Sequence, residues 1–183
     1  LNELNLTTEI SWDWFILSIT KTGIRFSEAL ALTPNDFDFS SQKLSINKSW
    51  NYRNSQGFFQ PTKNESSNRK IQIDWQTAMQ FSQLIKNMEP DNPIFVTERV
   101  FNSTINYHLK KLCIKADIPI ISIHSLRHTH ASLLLFAGVS IASVAQRLGH
   151  SSISTTQETY IHIIQELEHQ DTEKIMRHLA SLI

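Results

Sequence analysis

The stretch Ile123 to His130, IHSLRHTH, sets His124 and Arg127 three positions apart. On a helix that spacing brings an imidazole and a guanidinium to one face. An arginine fork spans two oxygens of a phosphate, and a histidine exchanges a proton near neutral pH. A helix start at this point adds free backbone N–H groups that favour an anion. The same pair also occurs on ordinary solvated helix surfaces, so taken alone it does not choose between the two readings. Three other features accompany it. Leu148-Gly149-His150 reads as a helix end followed by a histidine, and Tyr160 comes ten residues later in HSSISTTQETYIH. Upstream, TGIRFSEALAL places Arg25 directly after a helix break, with Glu28 one turn on. Each has a plain structural reading beside the chemical one. Arg25 and Glu28 at i,i+3 make a surface ion pair of about 0.3 kcal/mol, and Tyr160 could be an ordinary helix aromatic.

Taken together and in order, these elements resemble the tyrosine recombinases, the integrases of temperate phages and conjugative transposons. The family signature is an arginine after T-G-x, then H-x-L-R-H-x-x-A, then L-G-H, then a tyrosine roughly a helix further on. Here these are TGIR ending at Arg25, HSLRHTHA from His124 to Ala131, LGH ending at His150, and Tyr160, so the resemblance runs from about Thr22 to His162.

The resemblance implies that Arg25 and Arg127 clamp the scissile phosphate, that His124 and His150 are the two histidines of the site, and that Tyr160 is the nucleophile. It also implies a catalytic lysine in a hairpin, in a stretch like T-K-x-x-x-S-x-R-x-I-P. PTKNESSNRKIQI puts Lys63 there, although Gln72 stands where the proline is usual and Lys70 is a rival inside the expected strand. Glu28 corresponds to an acidic residue that buttresses the site. Physically, two arginines and a histidine can stabilise the charge of a phosphoryl transition state in the role that Mg²⁺ plays in kinases. A tyrosine with a pKa near ~10 must lose its proton as it attacks, for which a histidine is the natural partner, while a lysine can protonate the departing 5′-oxygen. A phosphotyrosyl bond would conserve the energy of the broken linkage, so no cofactor is expected, and neither a Walker loop nor a carboxylate cluster is needed or visible.

His124, His128, His130 and His150 also raise a zinc reading. The H-E-x-x-H pattern with its general base is absent, and Arg127 between the histidines would repel a cation, so no metal is expected. Two further rivals are a type IB topoisomerase, with the same chemistry but no partner exchange, and a non-catalytic DNA-binding regulator derived from a recombinase. The fit of LRHTHASLLLFAG to integrases and the intact residue set weigh against both.

The elements that must position these residues follow from periodicity. A helix is expected from about Thr8 to Thr20, with Gly23 as its left-handed cap, and a short one over Phe26 to Leu32 before Pro34. Lys43 to Trp50 and Arg69 to Asp74 alternate as strands around a polar loop, which predicts an antiparallel hairpin. Apolar stripes then predict helices through Trp75, Ala78, Phe81, Ile85 and Met88, and through Ile105, Leu109, Leu112 and Ala116. A buried helix is expected from His124 to Ala137, and a Ser140-capped helix ends at Gly149. Another should contain Tyr160, and a last one should start near Thr172 with Ile175, Leu179 and Leu182 aligned. The expected fold is thus α+β: mainly α-helical, with a small antiparallel sheet in the N-terminal third.

A chain of 183 residues without an interdomain linker reads as one domain spanning 1–183. The resemblance implies a C-terminal catalytic domain whose core-binding and arm-binding domains lie outside this sequence. No apolar run approaches the ~18 residues of a membrane span. The single Cys113 cannot form an internal disulfide and suits a reducing compartment. The family context implies the cytoplasm and nucleoid of a bacterial host. The implied partner is double-stranded DNA, bound by a homotetramer, with the isolated fragment a monomer. Seventeen basic and seventeen acidic side chains cancel, so DNA contact must rest on local clusters such as Lys63, Arg69, Lys70 and Arg127.

Overall fold

Helix α1 (Trp12–Thr22) carries Phe15, Ile16 and Ile19 on a face so apolar that the rest of the domain packs around it. It ends at Gly23, which adopts φ +68° and donates its N–H to the Ile19 carbonyl, 2.8 Å away. A Cβ at this position would meet the His130 ring at 2.5 Å, so close approach as well as backbone angle requires glycine. The start, expected near Thr8, lies at Trp12; Thr7 instead accepts the Trp14 indole N–H through its carbonyl. The computed structural model describes residues 1–182, without the side chains of 167–170, 173 and 174.

Helix α2 (Phe26–Leu30) is short, because Pro34 opens a 3₁₀ turn at Pro34–Asp36. Strands β1 (Phe37–Asp38), β2 (Lys43–Ile46) and β5 (Arg69–Gln72) form one antiparallel sheet in the order β1-β2-β5, with Leu44 opposite Ile71 and Ile46 opposite Arg69. The single strand expected from Lys43 to Trp50 is two. The chain breaks at Asn47, and β3 (Lys48–Trp50) leaves to pair with β4 (Phe59–Pro61) inside the loop expected to be irregular. Strand alternation had no means of showing this, since neighbouring strands in different sheets obey the same period.

Helices α3 (Trp75–Leu84) and α4 (Asn102–Lys115) complete the main core through Ala78, Phe81, Ile105 and Leu109. Two positions of the expected stripes fall outside it: Trp75 is exposed at the start of α3, and Ala116 caps α4 while buried Cys113 takes the inward position. Helix α5 (Ile123–Phe136) packs across α1, capped by the Ser122 hydroxyl. Its outer face is not buried: Leu133 and Phe136 are exposed. Helix α6 (Ile141–Leu148) is capped by Ser140 and closed by Gly149 at φ +68°. A second, smaller core of Ala131, Leu135, Val144, Leu148 and Tyr160 joins α5 to α6.

Tyr160 is not inside a helix as expected. It sits at the break between α7 (Ile153–Thr159) and α8 (Ile161–Ala180), with φ −116° and ψ 22°. The tail helix is continuous from Ile161 rather than starting near Thr172, and Ile175, Leu179 and Leu182 are exposed. The fold is therefore mainly helical with a small antiparallel sheet in its N-terminal third, as expected.

Candidate active site

The C-terminus of α6 leaves backbone carbonyls without intrahelical partners. Three arginines from distant parts of the chain take consecutive ones. Arg69 donates through Nε to the Arg147 carbonyl (2.6 Å), Arg127 through Nη2 to that of Leu148 (2.7 Å), and Arg25 through Nη2 to that of Gly149 (3.2 Å). Arg127 also donates through Nη1 to the Gly23 carbonyl (2.6 Å), which ties α5 to the turn that precedes Arg25. The L-G-H segment is thus the hub that brings the T-G-x-R and H-x-L-R motifs together. A Cβ on Gly149 would meet Arg69 Nη1 at 2.9 Å and the Ser66 carbonyl at 3.0 Å.

Arg25 is the N-cap of α2, and the Glu28 carboxylate accepts both its backbone N–H (2.9 Å) and its guanidinium (2.8 Å). Glu28 is buried and also pairs with Arg69 at 3.0 Å. Burial raises its pKa, but the field and hydrogen bonds of Arg69, then those of Arg25, outweigh that and hold it below its ordinary value. The Arg25–Glu28 pair is therefore not the weak surface contact that spacing alone allows.

Arg127 is 5% exposed, and burial followed by the nearby charge of Arg25 pushes its pKa down to about 9, still cationic at neutral pH. Two of its five N–H donors reach carbonyls, leaving three for an anion. Arg69 is nearly buried and makes four hydrogen bonds, to the Glu28 carboxylate and to the Ser67 and Arg147 carbonyls. It is thus a scaffold residue and not the phosphate contact expected of it. Inward alternation along β5 explains this: Arg69 and Ile71 share the face toward the core, and Lys70 lies on the outer face.

The histidines divide by environment. His150, after α6, engages Thr156 Oγ1 through Nδ1 (2.8 Å), and burial, then Arg127, Arg25 and Arg69, depress its pKa to about 4. His124 is exposed on α5. His128, one turn further, sets its Nδ1 3.1 Å from the Tyr160 hydroxyl; spacing alone left it without a role. His130 is buried and structural: its Nδ1 donates to the Thr20 carbonyl (2.9 Å) and its Nε2 accepts from Arg147 Nε (2.9 Å). Burial and Arg147 push its pKa down to about 4. Tyr160 is 5% exposed, and burial raises its pKa while Arg127 draws it back.

Lys63 is exposed between β4 and the 3₁₀ turn Glu65–Ser67, and its ammonium makes no hydrogen bond or ion pair among the described residues. Its loop nevertheless reaches the cluster, because Ser67 Oγ lies 3.4 Å from Arg25 Nη1 and is held by Asn64 Oδ1. The structure thus assembles Arg25, Arg127, His150 and Tyr160, with His124 at the rim and Lys63 on a flanking loop. Among the described residues, no three His, Cys, Asp or Glu side chains converge as a metal site. Nor is any described helix long and apolar enough to cross a membrane.

Comparison with known proteins identifies the family. The model of the phage integrase family matches residues 2–178. The ICEBs1 integrase of Bacillus subtilis (strain 168) is 27% identical over 171 residues, covering 84% of this chain and 45% of that protein. The integrase of Staphylococcus phage L54a is 28% identical over 172 residues, covering 84% and 48%. The chain spans about half the length of the curated relatives it matches. Among solved structures, the Tn1549 transposon integrase in complex with circular intermediate DNA superposes with a TM-score of 0.72 at 22% identity, covering 89% of this chain and 59% of that one. The XerA recombinase gives 0.68 at 23% identity, covering 93% and 59%.

Proposed function

Because the chain belongs to the phage integrase family, we propose that it cuts and rejoins duplex DNA in site-specific recombination of a mobile element, through a 3′-phosphotyrosyl intermediate on Tyr160. The observation that carries this reading is the convergence of Arg25 and Arg127 on adjacent carbonyls of one helix end, with Tyr160 within the field of Arg127. Three arginines (25, 69 and 127) share a single buried carboxylate, Glu28, so the cluster keeps positive charge for an incoming anion. A phosphodiester supplies that anion.

In this scheme the free donors of Arg127 and Arg25, with His124 and His150, hold the non-bridging oxygens as charge grows on them. Such donors are worth about 10²–10³ in rate each. Tyr160 attacks phosphorus, the bond to the 5′-oxygen breaks, and Lys63, carried by its exposed loop, protonates that oxygen. The 5′-hydroxyl of a partner strand then attacks the phosphotyrosine and releases Tyr160, so the linkage is restored without ATP. The chain would act as the catalytic part of a longer recombinase, in a tetramer whose protomers cut in pairs. Because its net charge is zero, its own DNA binding should be weak and salt-sensitive, log K falling by about 0.9 per phosphate neutralised as log salt rises.

The test uses a pool of nicked duplexes randomised around the nick, in which the released 5′-hydroxyl fragment diffuses away and the adduct accumulates. Wild-type protein should capture DNA covalently at Tyr160 from that pool, in the presence or absence of EDTA. Tyr160→Phe should bind the selected duplex equally well and capture none. Capture by Tyr160→Phe, or its disappearance from wild type on chelation, would refute the mechanism.

A further inference from the structure

The proton on Tyr160 must go somewhere as its oxygen attacks, and neither His124 nor His150 touches that hydroxyl among the contacts of the described residues. His150 has turned its Nδ1 to Thr156. His124 is exposed and meets the cluster only through its ring, 5.0 Å from that of His128 and nearly perpendicular to it. His128 is the histidine in contact: Nδ1 lies 3.1 Å from Tyr160 Oη, with ring centroids 5.8 Å apart.

We propose that His128 is a catalytic residue, accepting the Tyr160 proton at Nδ1 as the phosphorus–oxygen bond forms and returning it when that bond is reversed. The proposal rests on Tyr160 being the nucleophile. In the forward step the Tyr160 O–H breaks, its proton passes to Nδ1, Oη bonds to phosphorus, and the 5′-oxygen leaves and is protonated by a separate acid. In the reverse step the attacking 5′-hydroxyl gives up its proton to that acid's conjugate base, and the His128 imidazolium re-protonates Oη as it leaves. Atoms and charge balance with no further reactant.

The surroundings suit this role. The groups facing His128 are His124 and Arg127 from its own helix, Tyr160 from the α7–α8 junction and His150 from the segment after α6. Burial, then His124 and Arg127, lower its pKa, so the ring is neutral at neutral pH, and in the Nε2–H tautomer Nδ1 accepts from the Tyr160 hydroxyl. Burial raises the pKa of Tyr160, so a phenolate does not form ahead of attack. Each phosphodiester bound against Arg127 brings a negative charge, which stabilises the imidazolium that bare protein disfavours. Proton transfer is thereby coupled to DNA occupancy.

His128→Asn tests this, because an Asn amide reaches the position of Nδ1 and keeps a hydrogen bond to Oη but cannot accept a proton. On the duplex selected by wild type, its single-turnover adduct rate should fall about a hundredfold, with the Kd for DNA unchanged. The wild-type rate should also decline on the acid side as His128 protonates, and that limb should vanish in His128→Asn. If His128→Asn folds poorly, His128→Ala supplies the second arm, in which added imidazole should restore adduct formation. A wild-type rate and acid limb in His128→Asn, or a wild-type rate in His128→Ala without imidazole, would overturn the proposal. Failure of wild type itself to form an adduct would instead overturn the assignment of Tyr160, so the two failures are distinct.

Discussion

Arg127 holds the Leu148 carbonyl at 2.7 Å, and through that bond the residue expected to clamp a phosphate also fixes the end of the helix that delivers His150. In the proposed mechanism one side chain therefore serves structure and chemistry, and variants at this position must be read on both scales.

Arg127→Lys should fail on both. A single ammonium cannot span the Gly23 and Leu148 carbonyls and still present a planar fork, so one buried acceptor is left unpaired. The melting curve should show a loss of about 1–3 kcal/mol. The adduct rate should drop at least the hundredfold of a lost oxyanion donor. Retention of both stability and rate would contradict the dual role.

Glu28→Gln should destabilise the domain by about 3 kcal/mol at neutral pH, measured by denaturant unfolding, because it strands the nearly buried Arg69. The folded pKa of Glu28 lies below its ordinary 4.5, so its contribution is complete above that value and is lost as pH falls through the folded pKa. The gap between wild type and Glu28→Gln should accordingly close with acidification below about pH 4.5. A gap that stays constant to low pH would mean that the carboxylate charge is not what stabilises the fold.

His130 predicts a second pH effect in a higher window. Its folded pKa of about 4 lies beneath the ordinary 6.5, so the unfolded chain takes up a proton first and stability falls as pH drops between those values. That window corresponds to at most about 3 kcal/mol from this group. His150 titrates over the same range, so the diagnostic is the difference made by His130→Gln, whose unfolding free energy should depend less steeply on pH there. An identical slope would show that His130 is not buried neutral.

Residues 172–183 should be dispensable for the monomer and necessary for assembly. Ile175, Met176, Leu179 and Leu182 are 54–68% exposed on the tail, which forgoes little core contact when removed. In the proposed tetramer this exposed stripe would pack against a neighbouring protomer. Deletion should leave the melting temperature nearly unchanged and abolish cooperative complexes on DNA in gel-shift titrations. A fall of many degrees would place the helix on its own core.

What the sequence determined by itself was the inventory and its local setting. Arg25 after Gly23, His124 and Arg127 on one helix, and His150 after Gly149 are legible because caps and helical periods are properties of a few neighbouring residues. The helical character and the antiparallel pairing of Lys43–Ile46 with Arg69–Gln72 followed from periodicity for the same reason. Tertiary structure decided what depended on distant partners. The split of the Lys43–Trp50 strand at Asn47 reflects a second sheet, and the burial of Arg69 reflects Glu28, 41 positions away. The helix break at Tyr160 coincides with the packing of its ring in the small core between α5 and α6. His128 illustrates the difference most directly. Its spacing from His124 was visible, but its use depends on Tyr160, 32 residues on, and only the chain's path back to α5 brings that hydroxyl within 3.1 Å.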